Sequence, residues 1–188
     1  MNEVNTFHTF TSPISTAAIK LAQELSQQQV TPEKSQQVYL NSLAVWSVKY
    51  YLDCIGVETD IKESDSMNPA QIMLTNVADL VVKNLGKLEC RPVLENEQWI
   101  YVPPEAQSER IGYLAVKINA LLGKAKILGF LKEVSTDNLP INELQSLEHF
   151  LEYLDSLEFE QMNSQKLQDT RLRKNKIVSL RKWREKNL

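Results

Sequence analysis

The chain has 188 residues, a net charge of −3, 43% hydrophobic and 24% charged residues, 5 Gly and 7 Pro. These values suit one globular domain with an appended segment and exclude a disordered or fibrous chain. No run approaches the roughly 20 apolar residues of a membrane span, and the opening MNEVNTFHTFTSP has neither the basic nor the apolar region of a signal peptide, so a cytoplasmic protein without a membrane partner is expected.

The net charge conceals a division. Residues 1–162 hold 12 Lys and Arg against 22 Asp and Glu, a net of −10, whereas residues 163–188 hold 9 against 2, a net of +7. The expected organisation is a single domain over residues 1–160 and a basic tail over 161–188.

In chain order, Thr6 to Thr11 reads as an extended lead whose Phe7 and Phe10 are candidates for the core, and Ser12-Pro13 breaks it. From Ser15 to Gln29 the residues Ala18, Ile19, Leu21, Ala22 and Leu25 recur at helical spacing, which predicts an amphipathic helix. Thr31 as N-cap, Pro32 at the first helical position and Glu33 in the first turn then predict a second helix start. Between Val38 and Ile55 apolar residues wrap most of the way round this helix, and Gly56 stops it. Such a helix is a central buried element that needs partners on more than one face. Trp46, Tyr50 and Tyr51 are therefore expected in the core, and Cys54, like Cys90, as a small buried thiol.

Glu58, Asp60, Glu63 and Asp65 lack the glycine and closing glutamate of a calcium-binding loop, so a solvated acidic connection is predicted. Asn68-Pro69 marks a turn, and Ala70 to Asn76 a helical turn or an edge strand. From Val77 the apolar period becomes strand-like. Val77 to Val82 is a strand closed by an Asn84-Leu85-Gly86 turn. Lys87 to Val93 alternates, with Leu88 and Cys90 on one side and Lys87, Glu89 and Arg91 on the other, the last two read as a solvated ion pair. Gln98 to Val102, Arg110 to Asn119 and Ala125 to Val134 complete the set, with Gly129 marking a bulge. Five short strands with mostly short loops predict an antiparallel sheet packed on the helices, an α+β fold. Pro140 opens a closing helix whose Ile141, Leu144, Leu147, Phe150, Leu151, Leu154 and Leu157 form one stripe, with His149 at its boundary.

No nucleophile elbow, phosphate loop, dinucleotide fingerprint or metal-binding histidine pair occurs in the sequence. No catalytic residue, cofactor or metal ligand is assigned. The segment whose charge calls for a partner is the tail. There Arg171, Arg173, Lys174, Lys176, Arg181, Lys182, Trp183 and Arg184 read as a short basic amphipathic helix. Such a helix suits an acidic protein surface or a phosphate backbone; the alternative is that it is solvated beside, or folded onto, the acidic body. A protein partner is favoured over DNA, because the acidic body repels a duplex and no helix-turn-helix or RNA-binding signature accompanies the tail.

The strings SQQVYLNSLAVWSVKYYLDCIGVETD, DSMNP, VADLVV, LGKLECRPV, VPPE, ERIGYLAVKI, LGF and LPINELQSLEHFLEYL, in this order over about residues 5 to 160, resemble the cyanobacterial family known as domain of unknown function 1822. The resemblance implies a cyanobacterial cytosolic origin but no activity, cofactor or catalytic residue. It also implies a longer protein: after RLRKNKIVSL, matched from Arg171 to Leu180, members continue into a further domain, whereas this chain continues with RKWREKNL. The association of such genes with sigma factor genes implies a regulatory protein that binds a transcription factor of that type. The first expectation is thus a non-enzymatic regulatory or interaction protein. The alternatives are a nucleic-acid-associated protein acting through the tail, and a small-molecule-binding or enzymatic α+β domain.

Overall fold

The computed structural model describes residues 9–186, with side chains from residue 9 to residue 166; Phe7 and His8 lie outside them. The fold is α+β. Its elements are β1 (Phe10–Pro13), α1 (Thr16–Gln27), α2 (Pro32–Cys54), β2 (Thr59–Asp60), α3 (Pro69–Leu74), β3 (Asp79–Val82), β4 (Gly86–Val93), β5 (Trp99–Tyr101), β6 (Gly112–Asn119), β7 (Lys124–Leu131), β8 (Asn138–Pro140) and α4 (Leu147–Lys186), with short 3-10 turns between. Two compact units result, one ending at Phe150 and the other beginning at Leu151 within α4.

The helix starts follow local chemistry. The Ser15 hydroxyl accepts from the Ala18 amide at 3.1 Å and caps α1, and Thr31 accepts from Lys34 N at 3.2 Å and caps α2. Asn68 caps α3 by accepting from Ala70 N at 3.0 Å, with Pro69 at the first position. The expected turn at Asn68-Pro69 is therefore a helix start. In α2 the buried residues include Val38, Leu43, Ala44, Val45, Val48, Tyr51 and Leu52, together with Asn41, Ser42 and Ser47. The two serines donate to carbonyls one turn back, Ser42 to Val38 at 2.8 Å and Ser47 to Leu43 at 2.7 Å, so burial leaves neither unpaired. Phe10 packs its ring on Tyr51, centroids 4.9 Å apart, as a core role requires. The last two residues of α2 and the turn that follows, residues 53–56, are exposed throughout. Cys54 is therefore not buried as expected, Tyr50 is 43% exposed, and Trp46 is only partly covered.

The main sheet has six strands in the order β1-β7-β6-β4-β3-β2 and is mixed. The expectation of five antiparallel strands fails at one joint, because β4 and β6 run parallel, with Glu89 beside Tyr113 and Arg91 beside Ala115. The reason lies in residues 94–111. This connection is long enough to carry the chain back to its starting end, and a parallel pair needs such a crossover. Within it, β5 leaves the main sheet and pairs with β8, Ile100 opposite Leu139. Pro140 accordingly ends β8 and leads into a single 3-10 turn, Ile141–Glu143, rather than opening the closing α-helix. Residues 144–145 stay extended because Phe130 and Gln145 exchange backbone hydrogen bonds of 3.0 and 2.8 Å, and α4 begins only after Ser146.

Both faces of the sheet are covered. Helix α2 packs on β4, β6 and β7, and on the opposite face Val93, Tyr113 and Ala115 meet Ile100, Val102 and Leu139 of the small sheet. The expected bulge is present: Ala115 pairs with Gly129 but Val116 with Ile127, leaving Leu128 as the extra residue. At Gly129 a Cβ would stand 2.4 Å from the Gln145 carbonyl oxygen.

Gly129→Ala forces that backbone contact apart and should cost about 1–3 kcal/mol, read as a lower urea midpoint. At Gly123, where nothing lies within 4 Å but φ is +60°, alanine should cost about 1 kcal/mol. Iodoacetamide should label Cys54 in the folded chain and Cys90 only after unfolding, counted by mass spectrometry. Burial, with Glu89 and Asp79 nearby, pushes the Cys90 thiol well above its usual range. The folded state thus holds that proton more tightly than the unfolded one, and the corresponding stability is lost as pH rises beyond the ordinary thiol range.

Candidate functional site

The alternation of β4 puts Glu89 and Arg91 on one face, as its sequence predicts, but that face is the one under the small sheet. Both side chains are buried, Glu89 at 0% and Arg91 at 1% exposure, so the expected solvated ion pair is a buried network. Glu89 Oε1 accepts from Arg91 Nη1 at 3.1 Å and from the Ala78 amide at 2.8 Å, and its Oε2 accepts from Arg110 Nε at 3.0 Å. Arg91 also donates from Nε to the Tyr101 carbonyl at 2.8 Å and from Nη1 to the Asn76 carbonyl at 2.7 Å. One guanidinium thereby ties β4 to β5 and to the segment leading into β3.

That segment is held from other sides as well. Asn41 of α2 donates to the Asn76 and Val77 carbonyls, and the Asn76 amide donates to Glu105 at 2.8 Å. Lys34 donates to the Thr75 carbonyl and, at 2.8 Å, to Asn76 Oδ1. Partial burial lowers the Lys34 pKa, and Glu105 works against that shift. Asp79, buried opposite Glu89, accepts from the Ser66 amide at 2.7 Å and the Asp65 amide at 3.1 Å.

Above this framework lies an open groove of about 680 Å³, with Arg91 in its lining. Its walls are the polar face of α2 (Glu33, Gln36, Gln37), the β4–β5 loop (Leu94, Glu97) and β5 with Trp99 and Tyr101. Trp99 is 57% exposed and Tyr101 44%. Aromatic side chains left open beside amides and two carboxylates bring apolar, hydrogen-bonding and negatively charged groups together on one surface. The sequence contained a signal for it: the alternation of QWIYV places Trp99 and Tyr101 on the side opposite buried Ile100.

Arg171, Arg173, Lys174, Lys176, Arg181, Lys182, Trp183 and Arg184 fall on α4, whose backbone is helical through Lys186, and their side chains are outside the described residues. His149 is exposed and its Nδ1 lies 2.9 Å from the Ser146 hydroxyl. Among the described residues no group of three or more His, Cys, Asp or Glu is placed to hold a metal ion, and no helix is long and apolar enough to cross a membrane.

The family model described as Protein of unknown function (DUF1822) matches residues 13–185. This chain belongs to the DUF1822 family. The match takes in the residues of the groove and of the network beneath it. No curated protein and no solved structure matches the chain.

The buried network generates a stability test for this DUF1822 member. Arg91→Met removes one of the two guanidinium partners of the buried Glu89 carboxylate and the donor to the Tyr101 carbonyl, and should cost about 3–5 kcal/mol, whereas replacing Glu89, Arg91 and Arg110 together by apolar residues of similar volume should cost less. Urea denaturation of the single and combined variants measures the difference.

Proposed function

We propose that this chain is a non-enzymatic interaction module with a regulatory role, and that the groove between α2 and β5 receives an apolar, positively charged segment of a partner protein. The observation that carries the reading is the exposed Trp99–Tyr101 pair beside Glu33 and Glu97. Large aromatic side chains on a preorganised floor are the residue types that dominate protein interfaces, and the carboxylates favour a basic partner. The acidic body, net −10 over residues 1–162, adds long-range attraction of the same sign. The partner class in this proposal is a transcription factor of the sigma type, and the setting a cyanobacterial cytoplasm; both rest on the family resemblance.

A second reading keeps the groove but fills it with a small polar molecule, favoured by a volume within the usual range of ligand sites. A third assigns nucleic-acid association to the basic end of α4, favoured by its +7 charge over residues 163–188.

Affinity capture from the native cell, followed by direct binding with purified partner, tests the proposal. A sigma-type factor should be retained by the wild-type chain and bound at least about tenfold more weakly after Trp99→Ala and Tyr101→Ala. Glu33→Lys should slow association and flatten its salt dependence. Capture of no sigma factor or polymerase subunit, or binding indifferent to Trp99 and Tyr101, overturns it.

A further inference from the structure

A second surface lies at the far end of the main sheet. The hairpin joining β6 and β7 ends in Ala120-Leu121-Leu122-Gly123, where Leu121 is 99% exposed and Leu122 68%. These are not residues of a loose loop. The Leu122 amide donates to Asn119 Oδ1 at 3.1 Å, Gly123 N donates to the Ala120 carbonyl at 3.2 Å, and the Gly123 carbonyl accepts from Ile14 N at 2.9 Å. Two leucines are thus presented to solvent by a turn fastened to its neighbours.

Three lysines stand behind them. Lys117 and Lys126 are direct partners across the hairpin, and Lys124, one step nearer the tip, is opposite Asn119. In a strand, positions two apart share a face, so all three project from one side, while Ile118, Ala125 and Ile127 point the other way into the core. Like charges directly opposite each other on a sheet weaken the pair that carries them. Among the described residues none of the three has a carboxylate partner, although carboxylates outnumber basic residues nearly two to one in this body. Lys117 donates instead to the Glu95 backbone carbonyl at 3.0 Å, and the Glu95 carboxylate approaches the patch only through Asn119 Nδ2 at 3.4 Å.

We propose that this hairpin docks the chain peripherally on an anionic lipid surface, Leu121 and Leu122 entering the headgroup boundary while Lys117, Lys124 and Lys126 meet lipid phosphates and carboxylates. The pairing of exposed apolar residues with a basic row that has no carboxylate partner among the described residues is what selects this occupant. A nucleic acid would use the lysines and leave the leucines in water, and a second copy of the chain would bring like charges together. This departs from the expectation of no membrane partner, which rested on the lack of a spanning segment, because peripheral docking needs none.

The test is co-sedimentation of the full chain with phosphatidylcholine vesicles containing 30% or no phosphatidylserine, at low and high salt. The basic tail is present in every sample, so the variants must do the separating. Binding is expected only to the anionic vesicles and should fall at high salt. Each of Lys124→Gln and Lys126→Gln should weaken it about fivefold, and the pair Leu121→Ser with Leu122→Ser should weaken it further without altering the circular dichroism. Binding that ignores the leucine pair, which would assign the effect to the tail, overturns the proposal. So does equal binding to neutral vesicles, or a dimer in sedimentation equilibrium that the leucine pair abolishes.

Discussion

The guanidinium of Arg91 reaches three separate stretches of chain at once: Glu89 on its own strand, the Tyr101 carbonyl on β5 and the Asn76 carbonyl ahead of β3. An arginine suits this position because its rigid fork of donors can serve several acceptors in fixed directions, where a lysine would offer a single mobile head. Taking these charges out of water is costly, and the cost is offset only because every described acceptor oxygen of Glu89 is occupied. The network is therefore weak evidence for high stability and strong evidence for a particular arrangement. With Arg91 in place, β5 is held against β4, and the position of β5 decides where Trp99 and Tyr101 stand.

This dependence links packing to the groove. The small β5–β8 sheet covers one face of the main sheet through Ile100, Val102 and Leu139, and the same strand turns its aromatic residues outward. Helix α2 contributes from both of its aspects: Val45, Val48 and Leu52 pack inward, while Glu33, Gln36 and Gln37 line the groove. A buried helix with one polar flank near its start is thus both scaffold and wall. At the other end the lysines of β6 and β7 continue the covered face beyond the reach of the small sheet, where charged side chains can remain in water.

Much of this was readable in the residues. The starts of α1 and α2, the central place of α2, the strand-like period after Val77, the turn at Asn84 and Gly86 and the bulge at Gly129 all follow from capping, periodicity and backbone freedom, which act within a few residues of chain. The alternation of Glu89 and Arg91 was readable for the same reason. Their burial was not, because alternation says which residues share a face and nothing about what covers it. Cys54 illustrates the converse: a residue of apolar character in an apolar helix lies in solvent because it falls at the very end of α2, in the exposed run 53–56 just past buried Tyr51 and Leu52.

By itself, then, the sequence determined the local elements, the α+β class and the division of charge between an acidic body and a basic tail, since each depends on neighbouring residues or simple counting. Only the tertiary structure decided that β4 and β6 run parallel, that Pro140 closes a strand, and that an apparently solvated pair is a buried network beneath an open groove. These features depend on contacts between residues far apart in the chain, such as Glu89 with Arg110 and Phe130 with Gln145, and no local propensity encodes which distant segments will meet.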